Sequence, residues 1–246
     1  MALTQAERHI ADVGPARREE RQDTVTRALG HTRAQPAMVM AGRRVRAAGK
    51  FVWLGDEKFL IRGVTYGTFR PAADGYEFPD ALTVERDFSQ MAANGLNAVR
   101  TYTPPPRWLL DLAQQHGLRV MVGLPIERYA AFLDYKECVR SMETLVRDTV
   151  HTCAAHPAVL CYAIGNEIPA SLVRWHGRRK IERLLARLYR LAKSEDPDGM
   201  VTYVNYPSTE YLHLPFLDIV SFNVYLETQE ALDAYLARLH NQARGR

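Results

Sequence analysis

From about residue 51 onward, short runs rich in β-branched and aromatic residues alternate with longer amphipathic stretches. This alternation predicts strand-helix units around a parallel sheet. The reading gives strands at Phe59–Tyr66, Leu96–Tyr102, Arg119–Leu124, Val159–Ile164, Val201–Asn205 and Asp218–Tyr225. The fourth is almost wholly apolar, as a strand buried on both faces requires. Helices are predicted at Leu82–Ala93, from Pro104–Pro106 to His116-Gly117, and at Glu137–Ala154, Arg178–Lys193 and Gln229–Gln242, with a short helical turn near Thr209–His213. Proline in a first turn and glycine just past a last turn are favoured helix boundaries.

Six strands, each followed by helical sequence, fit an α/β fold of the TIM-type (β/α)8 barrel class with about six βα units. A doubly wound open sheet would also use six parallel strands, but its usual G-x-G-x-x-G after the first strand is replaced here by Tyr66-Gly67-Thr68-Phe69-Arg70-Pro71. Ahead of the first strand, Phe51–Leu54, the turn Gly55-Asp56 and Lys58–Ile61 read as a β-hairpin suited to closing a barrel floor. The predicted organisation is a flexible basic leader over residues 1–50, with a polar helix near Glu7–Leu29, and a barrel over residues 51–246.

Charge sharpens this division. Residues 1–50 hold 10 Lys and Arg against 5 Asp and Glu, whereas the remainder holds 22 against 23. The basic surplus has no interleaved aromatics, so it reads as a solvated tail rather than a nucleic-acid arm. The leader has no continuous apolar stretch resembling a secretory segment, and no later run approaches the length of a membrane span. Cys138, Cys153 and Cys161 are odd in number and lack metal-ligand spacing, which points to reduced thiols in a cytoplasmic protein with no metal or organic cofactor.

The segment carrying most chemistry is His156-Pro157-Ala158-Val159-Leu160-Cys161-Tyr162-Ala163-Ile164-Gly165-Asn166-Glu167. It sets a carboxylate and an amide at the C-terminal end of a buried strand, the face where barrel enzymes work. A carboxyl partly removed from water has its pKa raised and can donate a proton near neutrality. Asn205, Tyr66 and Tyr102 end other strands on the same face and are candidates to line a sugar subsite, with Trp175 and Trp108 as candidate stacking platforms.

The same segment resembles the fourth-strand signature of glycoside hydrolases of clan A, most closely the catalytic barrel of glycoside hydrolase family 2, over about residues 51–226. The resemblance implies action on β-linked sugars by retaining hydrolysis, with Glu167 as acid/base and Asn166 on the sugar 2-hydroxyl. Leu96-Asn97-Ala98-Val99-Arg100 resembles the family's second strand, whose arginine supports the catalytic carboxylates. Asp218–Tyr225 resembles its sixth, which implies that Tyr225 bonds the nucleophile and Asn223 shapes the pocket. In the family the nucleophile ends the seventh strand, and this sequence stops before one; Glu127 and Glu227 are the nearest carboxylates by position. The expected partner is therefore a carbohydrate, with a longer chain or another protomer covering the open barrel. Residues 166–177 also resemble glycosidase-like barrels that precede glycosyltransferase domains, so a catalytically silent carbohydrate-binding or scaffolding barrel is the alternative.

Overall fold

A computed structural model describes residues 43–71 and 77–242. The leader helix expected near residues 7–29 lies outside the described residues. Three short strands come first: β1 (Val45–Ala48), β2 (Phe51–Leu54) and β3 (Glu57–Lys58), paired antiparallel in that order. Residues 45–48, read from sequence as part of the leader, therefore form a strand. Their VRAA pattern has a single buried residue, too little for an alternation to show.

Six parallel strands follow in sequence order: β4 (Gly63–Thr65), β5 (Ala98–Arg100), β6 (Arg119–Gly123), β7 (Val159–Asn166), β8 (Val201–Asn205) and β9 (Ser221–Phe222). Each pairs with the next, leaving β4 and β9 as edges. This is the TIM barrel architecture, represented by an open arc of six strands. The helices are α1 (Ala81–Ala93), α2 (Arg107–Gln115), α3 (Lys136–Cys153), α4 (Ala170–His176), α5 (Arg178–Glu195) and α6 (Gln229–Gln242). Two 3-10 helices, Ile126–Phe132 and Pro207–Thr209, follow β6 and β8.

Local chemistry sets the boundaries. Asp80 caps α1, its Oδ1 accepting the Leu82 and Thr83 N–H groups at 3.1 Å each. Past α2, Gly117 takes a φ of 70°, a left-handed conformation that glycine reaches without strain. The edge strands are shorter than expected: Gly63–Thr65 stands for the predicted Phe59–Tyr66, and Ser221–Phe222 for Asp218–Tyr225. An edge strand has a ladder on one side only, so fewer of its residues are held in the sheet; β5, paired on both sides, is likewise reduced from the predicted Leu96–Tyr102 to Ala98–Arg100. Central β7 has neighbours on both sides and is buried over all but its last residue.

The two faces of the sheet build different cores. Val99, Val120, Val122, Tyr162, Ile164, Val201 and Tyr203 face the helices and join the main cluster with Val84, Phe88, Leu109, Met142, Val146, Ile181 and Leu188. Ala98, Leu160, Cys161 and Met200 join Val45 and Leu54 of the hairpin sheet in a smaller second cluster. Consecutive Leu160 and Cys161 share that cluster because the β6–β7 register skips Leu160, a bulge that breaks strict alternation. The hairpin thus covers one end of the arc. It is fastened there by Arg44, whose guanidinium donates two 2.7 Å hydrogen bonds to Asp196.

Candidate active site

At the opposite end, where the strands terminate, alternation decides which residues meet. Arg100 and Tyr102 share the phase of Ala98, and Asn223 and Tyr225 share that of Ser221, whose hydroxyl bonds Thr202. All four reach toward the end of β7. Arg100 Nη2 donates to Asn166 Oδ1 at 2.6 Å, and Nη1 donates to Asn223 Oδ1 at 3.1 Å. Asn223 Nδ2 donates to Asn166 Oδ1 at 2.9 Å and to Glu167 Oε1 at 2.6 Å. The Tyr225 hydroxyl donates to the same Glu167 oxygen at 2.7 Å. That bond to a carboxylate is the main reason the Tyr225 phenol is held above its ordinary pKa.

Five residues predicted from sequence therefore form one network, with Tyr102 beneath it. The Arg100 guanidinium carbon lies 4.6 Å from the Tyr102 ring centroid, within cation-π range. Two partners differ from the expectation. Tyr225 bonds Glu167 itself rather than a second carboxylate, and the hydrogen bonds of Arg100 go to amides. Among the described residues, Arg100 forms no ion pair and its buried Nε has no hydrogen bond.

The turn carrying Glu167 is unusual. Gly165 has φ 116° and Glu167 φ 46°, so a non-glycine residue occupies the left-handed region. The β7–β8 register shifts between Ala163 and Asn166 at this point. Successive amides of the turn are nonetheless satisfied. Asn166 N–H donates to Glu127 Oε2 at 3.3 Å, Glu167 N–H to the Val204 carbonyl at 2.9 Å, and Ile168 N–H to the Tyr203 hydroxyl at 2.8 Å. Glu127, considered from sequence only as a substitute carboxylate, thus contacts the turn directly. Burial raises its carboxyl pKa, against the opposing pull of two backbone hydrogen bonds and of Arg128 and Arg100.

Other expected residues lie elsewhere. Asn205 shares the helix-side phase of Val201 and Tyr203, and its side chain is spent locally. Its Oδ1 accepts from Thr209 Oγ1 at 2.6 Å and Tyr206 N–H at 2.9 Å, while Nδ2 donates to the Thr209 carbonyl at 3.1 Å. Tyr66 packs on Phe69 and Phe88 and donates to Asp87 Oδ2 at 2.9 Å, again on the helix side. Trp175 is 80% exposed on α4, Trp108 packs against the main core, and Glu227 is exposed. No group of three His, Cys, Asp or Glu side chains able to hold a metal occurs among the described residues, and no helix there is long and apolar enough to cross a membrane.

The model of the family described as glycosyl hydrolases family 2, TIM barrel domain, matches residues 45–244. A search of curated proteins found no match. Similar solved structures include a β-glucuronidase from Bacteroides uniformis, with TM-score 0.68, 19% identity, and coverage of 83% of this chain and 26% of that one. A β-glucuronidase from Faecalibacterium prausnitzii gives TM-score 0.66 and 21% identity over 82% of this chain and 36% of that one. The β-galacturonidase of glycoside hydrolase family 2 from Eisenbergiella tayi, bound to galacturonate, gives 0.66 and 20% over 82% and 36%. At these identities the likeness is one of fold, and the chain spans roughly a quarter to a third of each of these proteins' length.

Proposed function

Because this chain belongs to the TIM barrel domain family of the family 2 glycosyl hydrolases, we propose that it acts on β-linked sugars by retaining hydrolysis, with Glu167 as the acid/base. The observation carrying the proposal is the convergence of Arg100, Asn166, Asn223 and Tyr225 on the end of β7 beside Glu167. Glu167 Oε1 is held by two donors, while Oε2 has no hydrogen bond among the described residues and is the oxygen available to a glycosidic bond. In the first step it protonates the departing oxygen, and in the second it takes a proton from the incoming water. Asn166, fixed by Arg100, meets the sugar 2-hydroxyl. Tyr102, against the Arg100 guanidinium, offers aromatic surface to the ring.

Retention also requires a second carboxylate about 5–5.5 Å from the first. Arg100, with amides as its hydrogen-bond partners, is the cation such a group would pair with. In this reading the carboxylate arrives with strand-helix units that cover the β4 and β9 edges, supplied by further chain or another protomer. The apolar side chains exposed near those edges, Leu60, Ile61 and Val64 on one and Val220, Leu226 and Leu236 on the other, suit such a covering.

The test incubates the chain with phenyl and 2,4-dinitrophenyl β-glycosides, uronides first, in the presence and absence of azide. Azide replaces a nucleophile missing from the site. Azide-dependent release of phenol with formation of the α-glycosyl azide supports the proposal. Hydrolysis with retention and no azide would relocate the nucleophile to within this chain. Sugar binding without turnover under any condition would favour the second reading, a silent carbohydrate-binding barrel beside a glycosyltransferase. The bond from Tyr225 to Glu167, in place of one to a second carboxylate, is the observation on its side.

A further inference from the structure

Glu127 has no part in the hydrolytic scheme, yet it grips the turn that carries Glu167. It sits in the first turn of the 3-10 helix Ile126–Phe132, immediately after β6. That helix touches the turn twice. Ile126 is packed so closely under Gly165 that a Cβ there would lie 2.8 Å from Ile126 Cγ1. One residue on, Glu127 Oε2 accepts the Asn166 N–H at 3.3 Å. Between Gly165 at φ 116° and Glu167 at φ 46°, the Asn166 peptide links two left-handed residues. Such a conformation persists only where the surroundings over-determine it.

The setting of Glu127 favours a specific hydrogen-bonding role over space filling. Burial penalises its charge, whereas the hydrogen bond from Asn166 and the cations Arg128 and Arg100 favour it. Tyr203, which feels the charges of both Glu127 and Glu167, supplies the hydroxyl that holds the Ile168 N–H. A buried carboxyl group bonded to the amide before the acid/base has an effect that a hydrocarbon of equal size would lack.

We propose that Glu127 is a positioning residue whose carboxylate, by accepting the Asn166 N–H, fixes the left-handed turn that aims Glu167 at Asn223 and Tyr225. The inference rests on the reading of Glu167 as the acid/base, but its geometry is testable without turnover. The Asn223 side-chain amide reports the aim directly, since its protons bond Asn166 Oδ1 and Glu167 Oε1.

The experiment is a pH titration of the 15N-labelled full chain by NMR in wild type, Glu127→Gln, Glu127→Met, Glu167→Gln and the two glutamine substitutions combined. In wild type and Glu167→Gln, the Asn166 backbone amide proton is expected to shift with a midpoint above the ordinary glutamate value of 4.5. The titration disappears when Glu127→Gln is added to Glu167→Gln, while in Glu127→Gln alone the two Asn223 amide protons keep their wild-type positions because the glutamine oxygen still accepts. In Glu127→Met those protons collapse toward the values of a solvated asparagine. If Glu127→Met leaves them unmoved, or the Asn166 titration survives when Glu127→Gln and Glu167→Gln are combined, the proposal is overturned. Should the methionine variant lose global dispersion, Glu127→Asp, short by one methylene, is read the same way, and unmoved Asn223 protons again overturn it. Absence of glycoside turnover alongside intact signatures would sink the hydrolytic reading alone.

Discussion

Replacing Asp196 with alanine tests how firmly Arg44, just before β1, ties the hairpin to the folded domain. Asp196 is 4% exposed at its side chain and receives the guanidinium of Arg44, 20% exposed, through two 2.7 Å bonds. The fully buried Tyr162 hydroxyl donates to the same carboxylate at 2.8 Å. Removing the carboxylate strands both. Breaking a buried ion pair from one side costs about 3–5 kcal/mol, and the partial exposure of Arg44 favours the lower figure. The orphaned phenol adds about 1 kcal/mol or more, giving a loss near 4 kcal/mol. For a domain of this size each kcal/mol moves Tm by about 2–4 °C, so Tm should fall by about 8–16 °C. Tyr162→Phe, which spares the ion pair, should cost about 1 kcal/mol.

The pH dependence follows from the same contacts. Burial alone would raise the Asp196 pKa, but the bonds from Arg44 and Tyr162 outweigh it and hold the carboxyl below its ordinary 3.8. A carboxyl with a depressed folded pKa stabilises above the unfolded value, and the benefit is lost as pH falls through the folded one. Urea unfolding of wild type and Asp196→Ala from pH 7 to pH 2.5 should therefore show a constant gap at neutrality that closes below 3.8. A gap under about 1 kcal/mol, the range of a solvated ion pair, or one that persists unchanged in acid, would refute this reasoning.

Three further outcomes are expected. Glu127→Gln should stabilise the fold at pH 7 and have little effect below 4.5, because a carboxyl whose folded pKa is raised loses stability as pH climbs from its unfolded value; urea midpoints at the two pH values check this. Gly165→Ala should cost at least about 2 kcal/mol in thermal unfolding, since the new Cβ combines a strained φ of 116° with a 2.8 Å approach to Ile126. Burial pushes the Cys153 and Cys161 thiols up to about 12, so a thiol reagent at pH 8 should modify Cys138 in the native protein and all three cysteines only in urea.

The sequence was most legible where burial was most complete. The apolar run of β7 and the Asn166-Glu167 that ends it could be read because a strand buried on both faces leaves no ambiguity of phase. The register of weaker strands was harder. Counting in twos from Thr202 would have put Asn205 on the helix side, but without Ser221 opposite nothing in the sequence says which face Thr202 takes. The phase of Tyr66 is hidden for the same reason: its neighbour across space, Phe88, belongs to α1. α4 leaves no mark in the sequence because seven residues hold too few turns for a helical period to emerge, and β1 leaves none because alanine and arginine carry no strand signal. The Arg44–Asp196 pair spans 152 residues, and Glu127 meets Asn166 across 39; only the fold brings such partners together.

The assignment of Glu167 as proton donor is tested most directly by leaving-group dependence, with azide supplied as the nucleophile. A phenyl β-glycoside departs as a phenol of pKa about 10 and needs a proton in the transition state, whereas 2,4-dinitrophenolate leaves without one. The account predicts that Glu167→Gln slows azide-dependent release from the phenyl glycoside by about 10²–10⁴-fold and barely changes release from the dinitrophenyl glycoside. Equal slowing of both substrates, or of neither, would contradict it.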